Sequence, residues 1–428
     1  MLVSQFIAQY VGAHPLQPPA ERGRAAAAIA GALVRGELAQ EDEDDAQVAL
    51  AAALDDPSPI VRAALAQELS VAVNAPHHIV MALANDQPEV AAPVLNRSPR
   101  LSDSDLIDCV AVSTPASQVA IASRQRLSSA VAAAIAEVGA REAVLALLDN
   151  PLAPAPAPEF SLRRIVERFG EDGEIREALL TRDDLPATVR AQLVDAAAGA
   201  LTRFVTDCGW LSPERANRAA REAREKALVR IAAQAQAAPA EKAEGAQEDP
   251  LALARHLRAK GQLTAGLILR ALLSGDRSLL EAALAELSGL PLARVAGLAR
   301  NGGGAGFAAV FARAGMPASL LPAFRAALAA HADLDAQFGA DPDAGPRLSR
   351  LLIERVLTSC ERLDEASLAP VLALLRRLDA EAARDDARER LGGAPVAPPE
   401  PEPAPAALPA RPMSVVELRS RFVKRAAA

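Results

Sequence analysis

The chain has 428 residues, enough for roughly two or three domains, and 51% of them are apolar while only 3% are aromatic. A formal net charge of −8 argues against a general nucleic-acid binder, whose affinity comes from neutralising phosphates. Three cysteines, Cys109, Cys208 and Cys360, are odd in number and far apart, which excludes a disulfide scaffold and suits a reducing cytoplasm.

The apolar residues are mainly Ala, Leu and Val. Ala buries little surface, at about 0.8 kcal/mol per CH₂, so the core needs many closely approaching helices. Ala, Leu, Arg and Glu are strong helix formers, and no alternating β-branched run is long enough for a sheet. The start, Met1 to Pro15, has neither a basic n-region nor a small-residue cleavage site, so no signal peptide is expected. No uncharged apolar run reaches about 18 residues, so no spanning helix is expected either.

In chain order, residues 2–12 and 20–40 read as two helices. The acidic run Glu41 to Asp45 opens a third that ends at Leu54, with acids in the first turn complementing the helix dipole. Asp55-Asp56-Pro57 then stops the chain, Ser58 stands ready to cap, and Pro59 starts the next helix without losing a hydrogen bond. Val61, Leu65 and Leu69 fall on one face of it. The same punctuation returns at Leu83 to Ser98: Leu54 and Leu83, Pro59 and Pro88, and Val61 and Val90 are each 29 positions apart. Pro93 is expected to kink or shorten its helix. Further helix pairs follow to Asn150, with a break at Gly139. After a Pro-rich loop comes a helix over 160–169, and Ile175 to Ala197 then restates the motif with Asp183, Pro186, Val189 and Arg190. A period near 30 with two helices per unit is the pattern of an α-solenoid.

Ser212-Pro213-Glu214 announces a long charged helix carrying Arg215, Arg218, Arg221 and Arg224. Residues 236–249 read as a linker, and 250–391 as a second helical domain with short turns at Lys260-Gly-Gln, Ser274-Gly-Asp, Gly289-Leu-Pro and Ala314-Gly-Met-Pro. Residues 392–412 are Pro-rich and expected to be extended and poorly ordered. Residues 413–428 form a short basic amphipathic segment. The expected domains are therefore 1–235, an N-terminal repeat domain, and 250–391.

Several phrases, among them "DDPSPIVRAALA", "APHHIVMALANDQPEVAAPVL", "RSPRLSDSDLID", "AIAEVGAREAVLALLDN", "REALLTRDDLP" and "KGQLTAGLILRALLSGD", together resemble an alphaproteobacterial family known as domain of unknown function 2336. The resemblance spans roughly residues 45–330. It implies a soluble protein of short HEAT-like hairpins and carries no catalytic residues. The architecture expected is all-α: a right-handed α-solenoid of HEAT-like hairpins, a second helical block and a disordered Pro-rich tail.

Catalytic, cofactor and metal sites find little support. His77 and His78 are adjacent and point about 100° apart on a helix, and no Cys-x-x-Cys or His-Glu-x-x-His spacing occurs. The Gly304-Ala-Gly306 stretch follows a helical pattern instead of the strand that a dinucleotide fingerprint requires. Asp55, Asp56, Asp86, Asp183 and Asp184 sit at corners, where each has a capping or turn role. The cysteines read as small buried residues.

Recognition has better candidates. Arg215, Arg218, Arg221 and Arg224 sweep half a helix circumference. They suit either a solvated face with intrahelical Glu partners or an anion or partner site. Arg124 and Arg126 suit inter-repeat contacts or a binding face. In the terminal segment, Val415, Leu418 and Phe422 make an apolar stripe flanked by Arg419, Lys424 and Arg425. This stripe suits docking to a protein groove, weak membrane contact, or folding back on its own solenoid. The function expected is a non-enzymatic cytoplasmic scaffold or adaptor that binds an unidentified protein. The first alternative is a regulator that binds a small anion or nucleotide near the arginine ridge. The second is a HEAT-like enzyme acting on nucleic acid, against which one Trp, one Tyr and the negative charge weigh.

Overall fold

The computed structural model describes residues 17–153, 158–182, 184–237, 250–338, 345–361 and 369–391. Among these, the chain forms twenty-one α-helices and one short 3₁₀ turn, with no strand. The first twelve helices are α1 (Pro19–Arg35), α2 (Gln40–Leu54), α3 (Pro59–Leu69), α4 (His77–Ala84), α5 (Pro88–Arg97), α6 (Asp103–Val112), α7 (Pro115–Ala122), α8 (Ser129–Val138), α9 (Arg141–Asp149), α10 (Glu159–Phe169), α11 (Gly173–Leu180) and α12 (Ala187–Asp207). The remainder are α13 (Pro213–Ala237), α14 (Pro250–Ala259), α15 (Ala265–Leu273), α16 (Ser278–Ser288), α17 (Leu292–Arg300), α18 (Ala305–Arg313), α19 (Leu321–Phe338), α20 (Gly345–Glu361) and α21 (Ala369–Leu391). The first expected helix and the segments 392–412 and 413–428 lie outside the described residues.

Helices alternate between two rows. The odd-numbered α1 to α11 each pack on the next odd one, while α6, α8, α10 and α12 pack in sequence in the second row, as do α2 and α4. Between the rows runs one continuous core from Ala26 to Leu193, in which Leu50, Val61, Leu65, Leu69, Ile79, Leu83, Val90, Leu95, Ile121 and Ile135 are fully buried. The hydrophobic positions at spacings of three and four supply that stripe in each helix. A second core joins α15 to α21 around Phe307, Phe311 and Phe324. A third, formed by Ala187 and Ala191 with Leu228, Ile231, Leu257, Leu267 and Leu279, lies between these two.

The acid–proline corners have a definite job. Proline occupies the first turn of α1, α3, α5 and α7, where its missing N–H is no loss. Ser58 holds the cap position of α3 but its side chain makes no capping bond. Asp56 acts instead: its Oδ1 accepts from Ser58 N at 2.8 Å, an Asx turn that closes the corner. Helix α1 stops at Gly36, short of the expected residue 40, because Gly36 takes a left-handed φ of 68° and ends the helix there. Helix α5 runs through Pro93 to Arg97 and is not shortened by it. In the second block, the expected turns at Gly261, Gly275, Gly289 and Gly315 all carry left-handed glycines.

Arginines stitch neighbouring units. Arg22 of α1 donates to Asp56 at the corner before α3. Arg62 of α3 donates to Asp86 at the corner before α5, with Nε to Oδ2 at 2.5 Å, and also to Asp56 O at 2.6 Å. Arg141 of α9 donates to Asp172, the cap of α11. Elsewhere the acceptors are helix-end carbonyls: Arg168 donates to Ala136 O and Gly139 O at 2.8 and 2.7 Å, closing the end of α8.

Candidate functional site

Arg124 belongs to this stitching. It is buried, and its guanidinium donates to Leu95 O and to Ser98 O at the end of α5. Burial pushes its pKa down. Arg126, two residues on, is exposed, so the pair does not form one site.

The arginine ridge also divides. Arg215, Arg218 and Arg221 are exposed, but Arg224 turns in to Asp195 of α12 at 2.8 Å. The interleaved glutamates find partners on other helices: Glu222 accepts from Arg377 at 3.2 Å, and Glu225 lies 3.6 Å from Arg270. The tail residues Val415, Leu418, Arg419, Phe422, Lys424 and Arg425 lie outside the described residues.

Two features emerge that sequence reading did not single out. The first is the hairpin of α12 and α13, whose helices have 21 and 25 residues while most others have 8 to 11. In α12 only the first turns, Ala187 to Leu193, are buried; residues 194–207 are half-buried or exposed. At about 1.5 Å per residue, these residues run about 20 Å past Leu193, and Arg203 among them pairs with Glu171 of the α10–α11 corner at 2.5 Å. The hairpin's tip is closed by a Schellman turn: Gly209 has φ 70° and donates to Thr206 O, and Trp210 N donates to Val205 O. Phe204 and Trp210 meet edge to face at 5.5 Å. Such a contact often accompanies this turn, yet it leaves Trp210 69% exposed, with Leu201 and Phe204 beside it 62% and 54% exposed. Trp210 is the one tryptophan of the chain. A clustered aromatic and aliphatic surface of this kind marks interaction sites.

The second feature is a cavity of about 280 Å³ bounded by α13, α15, α20 and α21. Val229, Leu273, Ile353 and Leu378 give it apolar walls, and Lys226, Arg230, Arg270 and Glu381 line it as well.

Among the described residues, no group of three or more His, Cys, Asp or Glu could hold a metal ion. His331 is buried, with Nε2 2.6 Å from Leu272 O, and His77 and His78 are exposed on α4. Gly304 caps α18 in a loop that follows α17, a helix-to-helix connection. Asp56, Asp86 and Asp184 each face an arginine, and Asp183 lies outside the described residues. No described helix is long and apolar enough to cross a membrane.

The profile of a family described as "Uncharacterised protein conserved in bacteria (DUF2336)" matches residues 90–366. The match covers well over half of the chain. It starts within α5, later than the resemblance drawn from the sequence phrases, and continues into the second block. No curated protein and no solved structure matches the chain.

Proposed function

We propose that this chain, which belongs to the DUF2336 family of uncharacterised bacterial proteins, is a non-enzymatic scaffold that holds a protein partner at the tip of the α12–α13 hairpin. The observation that carries this reading is the exposure of Leu201, Phe204 and Trp210 together at the end of the long α12–α13 hairpin. Aromatic residues that can be desolvated by a partner supply most of the energy in protein interfaces, and Leu201, Phe204 and Trp210 stand open to one. The stacked hairpins behind it form a HEAT-like solenoid that supplies a stiff platform. The three free thiols suit work in the cytoplasm. The terminal apolar stripe of Val415, Leu418 and Phe422, flanked by Arg419, Lys424 and Arg425, is a second, tethered contact.

Affinity capture tests this with the full chain, a Phe204→Ser/Trp210→Ser variant, and a chain ending at Gly392. The tip variant should lose the captured protein while keeping its helical circular dichroism. Equal recovery by the tip variant would overturn the assignment of the hairpin. Equal recovery by the shortened chain would remove the tail from the account.

A further inference from the structure

We propose that His256 makes the seat of α14 a pH-sensitive latch: with a neutral imidazole α14 joins the hairpin of α12 and α13 to the second block, and a proton on His256 Nε2 loosens it there. The inference concerns this joint and does not depend on the reading of the hairpin tip.

The position of α14 carries the argument. It packs on α12, on α13 and on α16. Leu253 and Leu257, both fully buried, fasten it into the bridging core with Ala191 of α12, Leu228 of α13 and Leu279 of α16. His256 stands directly before Leu257. It is half-buried, and its Nε2 is buried and makes no hydrogen bond among the described residues. A neutral ring accommodates this in the tautomer that carries its hydrogen on Nδ1, which leaves Nε2 a bare acceptor. A protonated ring has an N–H on both nitrogens, and a buried charged donor without a partner costs a fold heavily.

The charged groups around the ring are committed elsewhere. Two carboxylates favour its proton, Asp195 of α12 and Glu159 of α10. Asp195 Oδ2 accepts from Gln262 Nε2 at 2.8 Å, and its Oδ1 lies 2.8 Å from Arg224 Nε of α13. Glu159 Oε1 accepts from Thr188 Oγ1 at 2.7 Å. On α16, Glu286 pairs with Arg255 and Arg258 of α14. Lys260, just past α14, and Arg163 of α10 repel the proton. Burial first, then Lys260 and Arg163, push the His256 pKa below its ordinary 6.5, against the smaller pull of the two carboxylates.

The sign follows from linkage. The loosened state binds the proton more readily than the seated one. The latch is therefore fully closed above the ordinary value and gives way as pH falls from there toward the seated value. Ordinary carboxylates titrate lower, near about 4, so a comparison of pH 7.5 with pH 5.5 isolates the imidazole.

Hydrogen–deuterium exchange of the full chain at those two pH values, corrected for the intrinsic effect of pH on exchange, tests this. Amide protection across Pro250–Ala259 should fall at least threefold at the lower pH, while α4, whose His77 and His78 are exposed, should hold. His256→Gln stays neutral and should remove the difference, whatever its overall stability, because each chain is compared with itself. Titration of the parent chain with 13C-labelled histidine reads the same group without any substitution, and His256 should titrate below its ordinary value. Unchanged protection of α14 between the two pH values, the full loss persisting in His256→Gln, or a His256 titration at or above the ordinary value would each overturn the proposal.

Discussion

Arg22 and Asp56, 34 residues apart, form a buried two-pronged pair: Nε donates to Oδ2 and Nη2 to Oδ1, each at 2.8 Å, with the Asp56 carboxylate fully shielded from water. The pair ties α1 to the corner that starts α3, and the same carboxylate orders that corner through Ser58 N. Asp56→Ala should therefore destabilise the chain by about 3–5 kcal/mol, the usual effect of stranding one partner of a buried pair. Arg22→Met combined with Asp56→Leu should recover much of that loss, because no charge is then left buried. Urea unfolding of both variants checks this.

Arg124 and Arg126 differ by two positions and should differ sharply in effect. Arg124→Ala strips Leu95 O and Ser98 O of their donor and should cost about 1–3 kcal/mol. Arg126 is exposed, and Arg126→Ala should stay within about 0.5 kcal/mol of the parent. Paired thermal melts decide.

The hairpin tip should be dispensable for folding. Phe204→Ala and Trp210→Ala remove one edge-to-face contact, worth about 0.5–1.5 kcal/mol, and nothing from the cores. Iodide should quench the single tryptophan of the parent chain readily, and partner binding should protect it.

Cysteine chemistry separates surface from core. Cys208 is exposed, whereas Cys109 and Cys360 are buried, their thiol pKa values pushed up by burial. One thiol should react with Ellman's reagent in the native chain and all three in urea. Modified Cys208 sits two residues from Trp210, so a bulky adduct there should block partner capture without unfolding the chain.

Acid should loosen the joints between units. The hydrogen bond from Arg141 holds Asp172 below its ordinary pKa of 3.8 against an opposing desolvation. Desolvation is the largest influence on Asp86 and pushes it up, but its bonds from Arg62 and Gln87 N together bring it below the same value. A carboxylate whose folded pKa is depressed binds protons more readily unfolded, so its contribution is intact above about pH 4 and is lost as pH falls through its folded value. Urea midpoints should drop below that point. Arg62→Gln should flatten the drop, and the full slope in that variant would contradict the assignment.

Much of this architecture was legible because its signals are local. Proline at first helical turns, left-handed glycine at stops, and apolar residues three and four apart belong to single helices. The acid–proline corner was legible too, though its capping atom was not: Ser58 holds the favoured position, but Asp56 reaches Ser58 N first, drawn in by Arg22 from another helix. What escaped depends on distance in the chain. Glu381 lies 111 residues from Arg270, so no spacing rule connects them; the one available signal was a lone arginine among leucines. Trp210 escaped because a turn residue next to glycine reads as punctuation, and only the fold reveals that it stands exposed among the described residues.

Helix α13, at 25 residues about 37 Å long, is a beam with Trp210 just before one end and Lys226 and Arg230 toward the other. Leu228 and Ala232, gripped by the bridging core, are its fulcrum. A tilt of about 5° there swings the tip end, about 25 Å away, by about 2 Å, so a load hung on the aromatic tip exerts torque on the core residues that flank Arg230.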